Sequence, residues 1–196
     1  MWVALGAPAD EALLRELTAC YTEPHRKYHT MQHLGECFAK LQELRALAQK
    51  PAEIELALWF HDAIYDTKRK DNEEKSADWA QASTLSAGLA APVGARVYKL
   101  VIVTQHNAVP AATDEQILVD VDLSILGASP ERFDEYERQV REEYSWVPGP
   151  LFRRERRKIL EDFLKRRTLF QTKQFVAAYE SQARANLQRS LEKLRA

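Results

Sequence analysis

Several features are scarce in this chain of 196 residues, and each absence excludes a class of protein. Two cysteines, Cys20 and Cys37, are too few for a disulfide framework or a zinc ribbon, and they fit a reducing compartment. The net charge of -1 provides no field that would attract a nucleic-acid polymer or an acidic membrane. No run approaches the roughly 20 apolar residues of a membrane span, and residues 1–9 lack the basic flank of a signal peptide. We therefore expect a cytoplasmic protein without a membrane or nucleic-acid partner.

Glycine and proline are also few, with 6 and 8 residues, and runs that alternate apolar and polar side chains are missing. Apolar spacings of three and four residues predict helices throughout. The helix starts are indicated by Asp10, by Thr30, and by two capping-box spacings, Asp71 with Glu74 and Thr113 with Gln116. We predict an all-α protein, with residues 1–196 in a single compact bundle of about eight to nine helices. The C-terminal helix packs on this domain or on a second subunit, so a homodimer stays open.

A polar pair, His61-Asp62, interrupts an apolar segment that reads as a helix over residues 51–66. His61 falls three residues after Leu58 and three before Ile64, which places the imidazole on the buried face. An imidazole beside an ionised carboxylate is costly in apolar surroundings unless a partner such as a divalent cation is present. The alternative is a hydrogen-bonded histidine beside an aspartate on the helix surface.

A second acidic residue, Asp122, lies in the middle of an apolar face formed by Leu118, Val121 and Ile125. A buried aspartate without a basic neighbour on its own helix requires a partner from elsewhere, which is a metal, a distant base or a helix N-terminus. Asp120 falls off this face, and we expect it in solvent.

Two histidines, His29 and His33, are four residues apart at a helix start, so one can ligate a metal while the other contacts substrate or supports the ligands. Thr30 stands where a zinc protease needs a catalytic glutamate, which disfavours that class. In chain order the candidate ligands are then His33, His61, Asp62 and Asp122. Two imidazoles and two carboxylates suit one divalent ion, Mn, Fe, Co or Ni, with Zn and Mg also compatible, and leave positions for water and a phosphoryl oxygen.

This pattern resembles the HD superfamily of metal-dependent phosphohydrolases, and above all a bacterial branch of predicted phosphohydrolases with undefined substrate. The resemblance extends in order over almost the whole chain. The matching strings are residues 23–33 (EPHRKYHTMQH), 59–66 (WFHDAIYD), 71–77 (DNEEKSA), 104–106 (TQH), 119–127 (VDVDLSILG), 141–144 (REEY) and 183–187 (ARANL).

The resemblance implies that His33, His61, Asp62 and Asp122 bind the metal. It also implies a catalytic role for Asp66, which orients or deprotonates the attacking water in nucleotide-hydrolysing relatives. Those relatives often carry glutamate immediately before that position, where this chain has tyrosine. Branches with two metals add histidines between the doublet and the last aspartate, and this chain has only His106 there, so the resemblance favours one metal.

Further residues are candidates for substrate binding. Arg26 could neutralise phosphate charge, or it is an ordinary exposed arginine. Asn72 and Glu73 begin a helix, where free N–H groups favour an anion, although both residues could simply cap that helix. His29 and His106 could donate to a phosphate or a leaving oxygen, or they are histidines bonded to backbone. The large aromatic residues Trp59, Phe60, Trp79 and Trp146 are expected in the core.

The function that these residues predict is a metal-dependent phosphohydrolase. It would cleave a phosphate ester or anhydride in a small phosphorylated metabolite, with a nucleotide as the first candidate, through a metal-activated water. The alternatives are a non-catalytic module that binds metal and nucleotide, and an iron-dependent oxygenase of the HD type. The oxygenase is disfavoured because such enzymes need more ligands than this chain offers.

Overall fold

The computed structural model describes residues 2–195, and within that range it contains nine α-helices and no strand. The helices are α1 (Glu11–Cys20), α2 (Met31–Leu44), α3 (Pro51–Phe60), α4 (Asn72–Ser86), α5 (Ala91–Ile102), α6 (Thr113–Asp122), α7 (Pro130–Glu143), α8 (Gly149–Lys165) and α9 (Lys173–Arg195). This confirms the predicted all-α fold. None of the described helices is both long enough and apolar enough to cross a membrane.

Helix α3 lies at the centre of the bundle and positions the histidine–aspartate doublet. Its side chains Ile54, Leu56, Ala57, Leu58 and Phe60 are all fully buried, so the helix is apolar on every side rather than along one stripe. Helices α2, α4, α5 and α6 pack around it. A helix surrounded in this way is rigidly held by the core, and the residues at its C-terminal end are held with it.

Helix α3 ends at Phe60, six residues before the predicted end, and His61 caps it. The carbonyl groups near its end are satisfied without a further helical turn. The hydroxyl of Tyr21 donates to the carbonyls of Leu58 and Trp59, at 3.4 and 3.1 Å. Because these bonds replace those of a continuing helix, Asp62 lies in a turn instead of on the helix.

Two of the predicted caps are confirmed. The carboxylate of Asp10 accepts from the Leu13 amide at 2.9 Å, and the hydroxyl of Thr30 accepts from the Gln32 amide at 3.3 Å.

The two predicted capping boxes are wrong. The Asp71 carboxylate pairs with Arg69 instead of capping α4. Helix α6 begins one residue earlier than predicted, with Ala112 instead of Thr113 as its N-cap, and the Glu115 carboxylate accepts from the amides of Ala111 and Ala112. At α4 the neighbouring Arg69 takes the carboxylate, and at α6 the capping glutamate is Glu115, one residue before the predicted Gln116.

The C-terminal helix α9 packs on its own chain, against α8 and the 3-10 turn Leu123–Gly127. At that contact a Cβ atom on Gly127 would stand 2.7 Å from the Tyr179 Cβ, closer than side chains approach, so only glycine fits. The Asn186 amide donates to the carbonyls of Leu126 and Ala128, at 2.9 Å each. The sequence left two locations open for this helix, on the domain or on a second subunit, and in the structure it packs on the domain.

Candidate metal centre

Four of the predicted ligands converge although they come from separate parts of the chain. His33 lies in the first turn of α2, His61 caps α3, Asp62 follows it, and Asp122 is the last residue of α6. The two Nε2 atoms of His33 and His61 are 3.2 Å apart. The Asp62 Oδ2 lies 3.0 Å from the His61 Nε2 and 3.5 Å from the His33 Nε2. The Asp122 Oδ1 lies 3.4 and 3.6 Å from the same two nitrogens.

These distances fit ligands that share one cation. With bond lengths of about 2.0 to 2.3 Å, two ligands of one octahedral or tetrahedral ion stand roughly 2.8 to 3.8 Å apart. The five distances above, 3.0 to 3.6 Å, all fall in that range. Two nitrogen and two oxygen donors are also a chemically suitable set for a divalent transition metal.

The orientation of His61 is fixed by the end of α3. Its Nδ1 donates to the Leu58 carbonyl at 2.7 Å. This bond leaves the lone pair of Nε2 facing His33 and the two carboxylates, which is the tautomer that a metal ligand requires.

The charges of the cluster also favour a cation. Burial acts to raise the pKa values of Asp62 and Asp122, but the neighbouring imidazoles outweigh burial and hold both well below the usual range. Burial acts to lower the pKa values of His33 and His61, but other groups outweigh burial and raise both well above the usual range. These groups are Cys37, Tyr28 and the two aspartates for His33, and Asp62, Tyr21 and Asp122 for His61. The site therefore attracts positive charge, which a divalent ion supplies more compactly than protons do.

Cys37 joins this cluster and was not predicted to do so. The ligand atoms of His33, Cys37, His61 and Asp122 all lie within 4.8 Å of one another, so this buried group could hold a metal ion. The Cys37 Sγ is 3.7 Å from each ring nitrogen of His33, farther than Asp62 Oδ2 is from the Nε2. The sequence contained a signal for this position. Cys37 lies four residues after His33 and three after Leu34, so the three side chains share one face of α2.

A cavity of about 570 Å³ opens beside the cluster. Both carboxylates, Asp62 and Asp122, line it, together with four of the predicted substrate residues, His29, Asn72, Glu73 and His106. Two residues of its wall carry buried polar atoms, the Tyr28 hydroxyl and the His106 Nδ1, that have no hydrogen-bond partner among residues 2–195, and such atoms are uncommon in native proteins outside functional sites.

His106 contacts a candidate ligand rather than facing the cavity alone. Its Nε2 donates to the Asp122 Oδ2 at 2.9 Å, which leaves Oδ1 for the metal position. The residue has a positive φ of 54°, an uncommon conformation outside glycine. A strained residue that holds a ligand in place supports a role in the site.

Glu73, at the start of α4, lines the same cavity as the cluster and is close enough to Asp62 and Asp122 to feel their charges. Burial raises its pKa, and the negative charges of Asp62 and Asp122 raise it further. Asn72 instead binds backbone, with its side chain bonded to both the amide and the carbonyl of Asp66. The two residues were predicted together, but only Glu73 keeps a free polar group.

His29 lies in the cavity wall and is held by Glu143, at the end of α7. The Glu143 Oε2 accepts from the His29 Nδ1 at 2.8 Å and from the Tyr65 hydroxyl at 2.8 Å. The Oε1 accepts from the amides of Lys27, Tyr28 and His29 at 2.7 to 3.0 Å. The carboxylate can only accept, so Nδ1 is the donor and the Nε2 of His29 is left for a ligand.

Arg26 differs from its expected place. It is buried, and its guanidinium donates to Glu23, to the carbonyls of Asp62 and Ala63, at 2.6 and 2.9 Å, and to that of His29. These acceptors take four of its five N–H donors, so Arg26 holds the turn that carries Asp62, and it is not part of the cavity wall. The cations that do line the cavity are Arg69, Lys70 and Arg166.

Asp66 also differs from its expected place. It is exposed in the turn after α3, its Oδ1 accepts from the Lys68 amide at 2.9 Å, and it is not part of the cavity wall. Because α3 ends early, Asp66 does not follow Asp62 on a helix edge.

Asp120, expected in solvent, is fully buried and accepts from the amides of Gln171 and Thr172 and from the Thr172 hydroxyl.

Comparisons of this chain with protein-family models, with curated proteins and with solved structures found no significant match.

Proposed function

We propose that this protein is a metal-dependent phosphohydrolase that acts on a small phosphorylated metabolite, with a nucleotide as the first candidate. The observation that carries the proposal is the convergence of the His33 and His61 Nε2 atoms with carboxylate oxygens of Asp62 and Asp122, at the wall of a polar cavity. The motifs that resemble the HD superfamily support the same conclusion.

In this proposal His33, His61, Asp62 and Asp122 hold one divalent ion. Such an ion, when bound, lowers the pKa of water toward 7 and polarises a phosphoryl oxygen. The four protein ligands leave coordination positions open, since Mn, Fe, Co and Ni commonly take six ligands. His106 keeps the Asp122 carboxylate oriented through its Oδ2.

Glu73 takes the role that the sequence suggested for Asp66. It lines the cavity, and its raised pKa brings it closer to the pH at which a carboxylate is an effective general base. We propose that a carboxylate oxygen of Glu73 accepts the proton of the attacking water. Asp66 is exposed and bonded to backbone, so it does not have access to that water.

His29 and the cavity cations complete the proposed site. With Nδ1 bonded to Glu143, the imidazolium form of His29 also carries a proton on Nε2, which can pass to the leaving oxygen or form a hydrogen bond to the phosphate. Lys70 and Arg166 line the same cavity and supply positive charge to an anionic substrate.

The test is metal analysis of the purified protein together with a phosphate-release screen over nucleotides and other small phosphate esters. We expect one divalent ion per chain, and release that both Asp62→Ala and a chelator abolish. Release that persists in Asp62→Ala would identify a contaminating phosphatase. Bound metal without release from any substrate would instead favour the non-catalytic module.

A further inference from the structure

A second cavity, of about 440 Å³, adjoins the metal cavity. The two lie side by side, because four residues, His29, Tyr136, Tyr144 and Ile159, line both. We name the second cavity the aromatic groove and define it by Tyr136, Tyr144, Trp146, Leu151, Phe152 and Ile159. A substrate whose phosphate occupies the metal cavity can therefore extend its organic part toward this groove.

Large apolar side chains are exposed along the groove. Trp146 is 52% exposed, Ile159 46% and Leu151 41%, and all three line this one cavity. Single exposed apolar residues are ordinary on protein surfaces, but a cluster of them beside a polar site indicates a binding surface. Trp146 was expected in the core with three other aromatic residues, so its exposure corrects that prediction.

The Trp146 ring is held in place although half of its surface is exposed. Its Nε1 donates to the Thr67 hydroxyl at 2.8 Å, and the Lys68 Nζ lies 5.7 Å from the ring centre. A ring that is fixed by a hydrogen bond, and not by burial, loses little conformational entropy when a second ring stacks on it. Trp146 is therefore suited to stacking.

The charged side chains that line the groove, Glu155 and Arg156, form ion pairs within the protein, although the buried Nε of Arg156 has no hydrogen-bond partner. The Arg156 guanidinium donates to the Tyr136 hydroxyl at 2.8 Å and to Glu137, and Glu155 pairs with Arg154 and Lys158. The groove therefore offers apolar contact and aromatic faces, with few free hydrogen-bonding groups. Such a surface selects for a flat ring more than for a polar chain.

We propose that the aromatic groove binds a planar aromatic ring carried by the phosphorylated substrate. The ring belongs either to a nucleobase or to a carbocyclic aryl group. This inference rests on the proposed function only for the position of the phosphate.

The test uses phosphonates, which the enzyme cannot hydrolyse, with the protein as purified. Benzylphosphonate and cyclohexylmethylphosphonate carry the same number of carbon atoms, but only the first is planar. We expect benzylphosphonate to bind about tenfold more tightly, from the usual strength of aromatic stacking, and to change the tryptophan fluorescence. Equal affinities for the two phosphonates would overturn the proposal.

Variants of two groove residues, Trp146 and Leu151, test whether the preference for the planar ring arises in the groove. Trp146→Leu should abolish the preference for the planar ring and the fluorescence change, while the affinity for methylphosphonate stays the same. Leu151→Ser should weaken the binding of benzylphosphonate, whereas Leu14→Ser, at a residue that is 43% exposed and outside the groove, should not. An undiminished preference in Trp146→Leu would also overturn the proposal.

The phosphonate analogue of adenosine monophosphate distinguishes the two sources of the ring. Tighter binding of this analogue than of benzylphosphonate would support a nucleobase, and weaker binding would support a carbocyclic ring. If the protein prefers the planar ring but releases phosphate from no substrate, the ring-binding proposal stands and the phosphohydrolase proposal is refuted. If the protein releases phosphate but shows no preference for the planar ring, the phosphohydrolase proposal stands and the ring-binding proposal is refuted.

Discussion

Glu143 and His29 meet at 2.8 Å although 114 positions of sequence separate them. The carboxylate is buried, and it accepts five hydrogen bonds, two from the side chains of His29 and Tyr65 and three from backbone amides of residues 27–29. One side chain from α7 thus fixes the segment that leads into His33. Glu143 is therefore a positioning residue for the candidate site, on which it acts through His29.

Replacement of Glu143 by glutamine should lower phosphate release about 10- to 100-fold, the usual effect of losing a supporting hydrogen bond at a metal site. The bound metal should remain, because Glu143 contacts none of the candidate ligands. Metal content and kcat/KM measure the two effects separately. Glu142→Gln is the matched control, since the neighbouring Glu142 is exposed. Equal activities of the two variants would refute the positioning role.

Glu143 should also make the fold sensitive to acid. Burial acts to raise its pKa, but the hydrogen bond from His29 and those from the backbone outweigh burial and lower it from 4.5 to about 2. A lowered pKa stabilises the folded state above pH 4.5, and this stabilisation, roughly 3 kcal/mol, is lost as the pH falls from 4.5 to 2.

Denaturant unfolding of wild type and Glu143→Gln at several pH values measures this contribution. The difference in unfolding free energy should be largest near neutral pH and should shrink below pH 4.5. Asp62 and Asp122 titrate in both proteins, so their effects cancel in the difference. A difference that does not change with pH would assign the stabilisation to packing instead of charge.

The sequence predicted the all-α fold class. It also singled out His33, His61, Asp62 and Asp122, which the structure brings together, because polar residues on apolar helix faces are visible in sequence spacing. Asp122 and His61 were found by that signal. Glu143 carries the same signal, three residues after the buried Val140, and was overlooked. The early end of α3 was not predictable, because it depends on Tyr21, 37 and 38 positions away from the carbonyls that it binds. Arg26 and Asp66 were misplaced for the same reason, since their partners are set by that turn.

Gly127 should be required for the packing of α9. In Gly127→Ala the new Cβ would meet the Tyr179 Cβ at 2.7 Å, and relief of this contact should cost about 1 to 3 kcal/mol. Gly35→Ala is the matched control, since nothing lies within 4 Å of a Cβ on Gly35 in the middle of α2. The control should gain about 0.5 to 1 kcal/mol from helix propensity. Thermal unfolding measures both changes, and equal midpoints for the two variants would contradict the packing argument.

Cys37 should be dispensable for metal binding if Asp62 is the fourth ligand. We expect Cys37→Ser and the control Cys20→Ser to keep the metal and Asp62→Ala to lose it. Cobalt-substituted protein gives an independent measurement, because a thiolate ligand adds a charge-transfer absorption that nitrogen and oxygen ligands do not. If Cys37→Ser loses the metal and the cobalt-substituted wild type shows that absorption, then Cys37, and not Asp62, is the fourth ligand.

Glu73 should be catalytic and not structural. A general base contributes about 10²- to 10⁴-fold to the rate, so Glu73→Gln should lose activity on that scale while it keeps the metal and the fold. A base must be deprotonated to act, so wild-type kcat/KM should fall as the pH drops through the Glu73 pKa, which burial and the nearby carboxylates raise above its usual value.

The exposed neighbour Glu74 provides the control. Glu74→Gln should keep the wild-type rate and the acid limb of the pH profile, and Glu73→Gln should lose that limb together with its activity. If Glu73→Gln kept both, another group would have to take the proton of the attacking water. The exposed Asp66 would then be the residue to mutate next, because a movement of its turn toward the cavity is the remaining way for a carboxylate of this segment to reach that water.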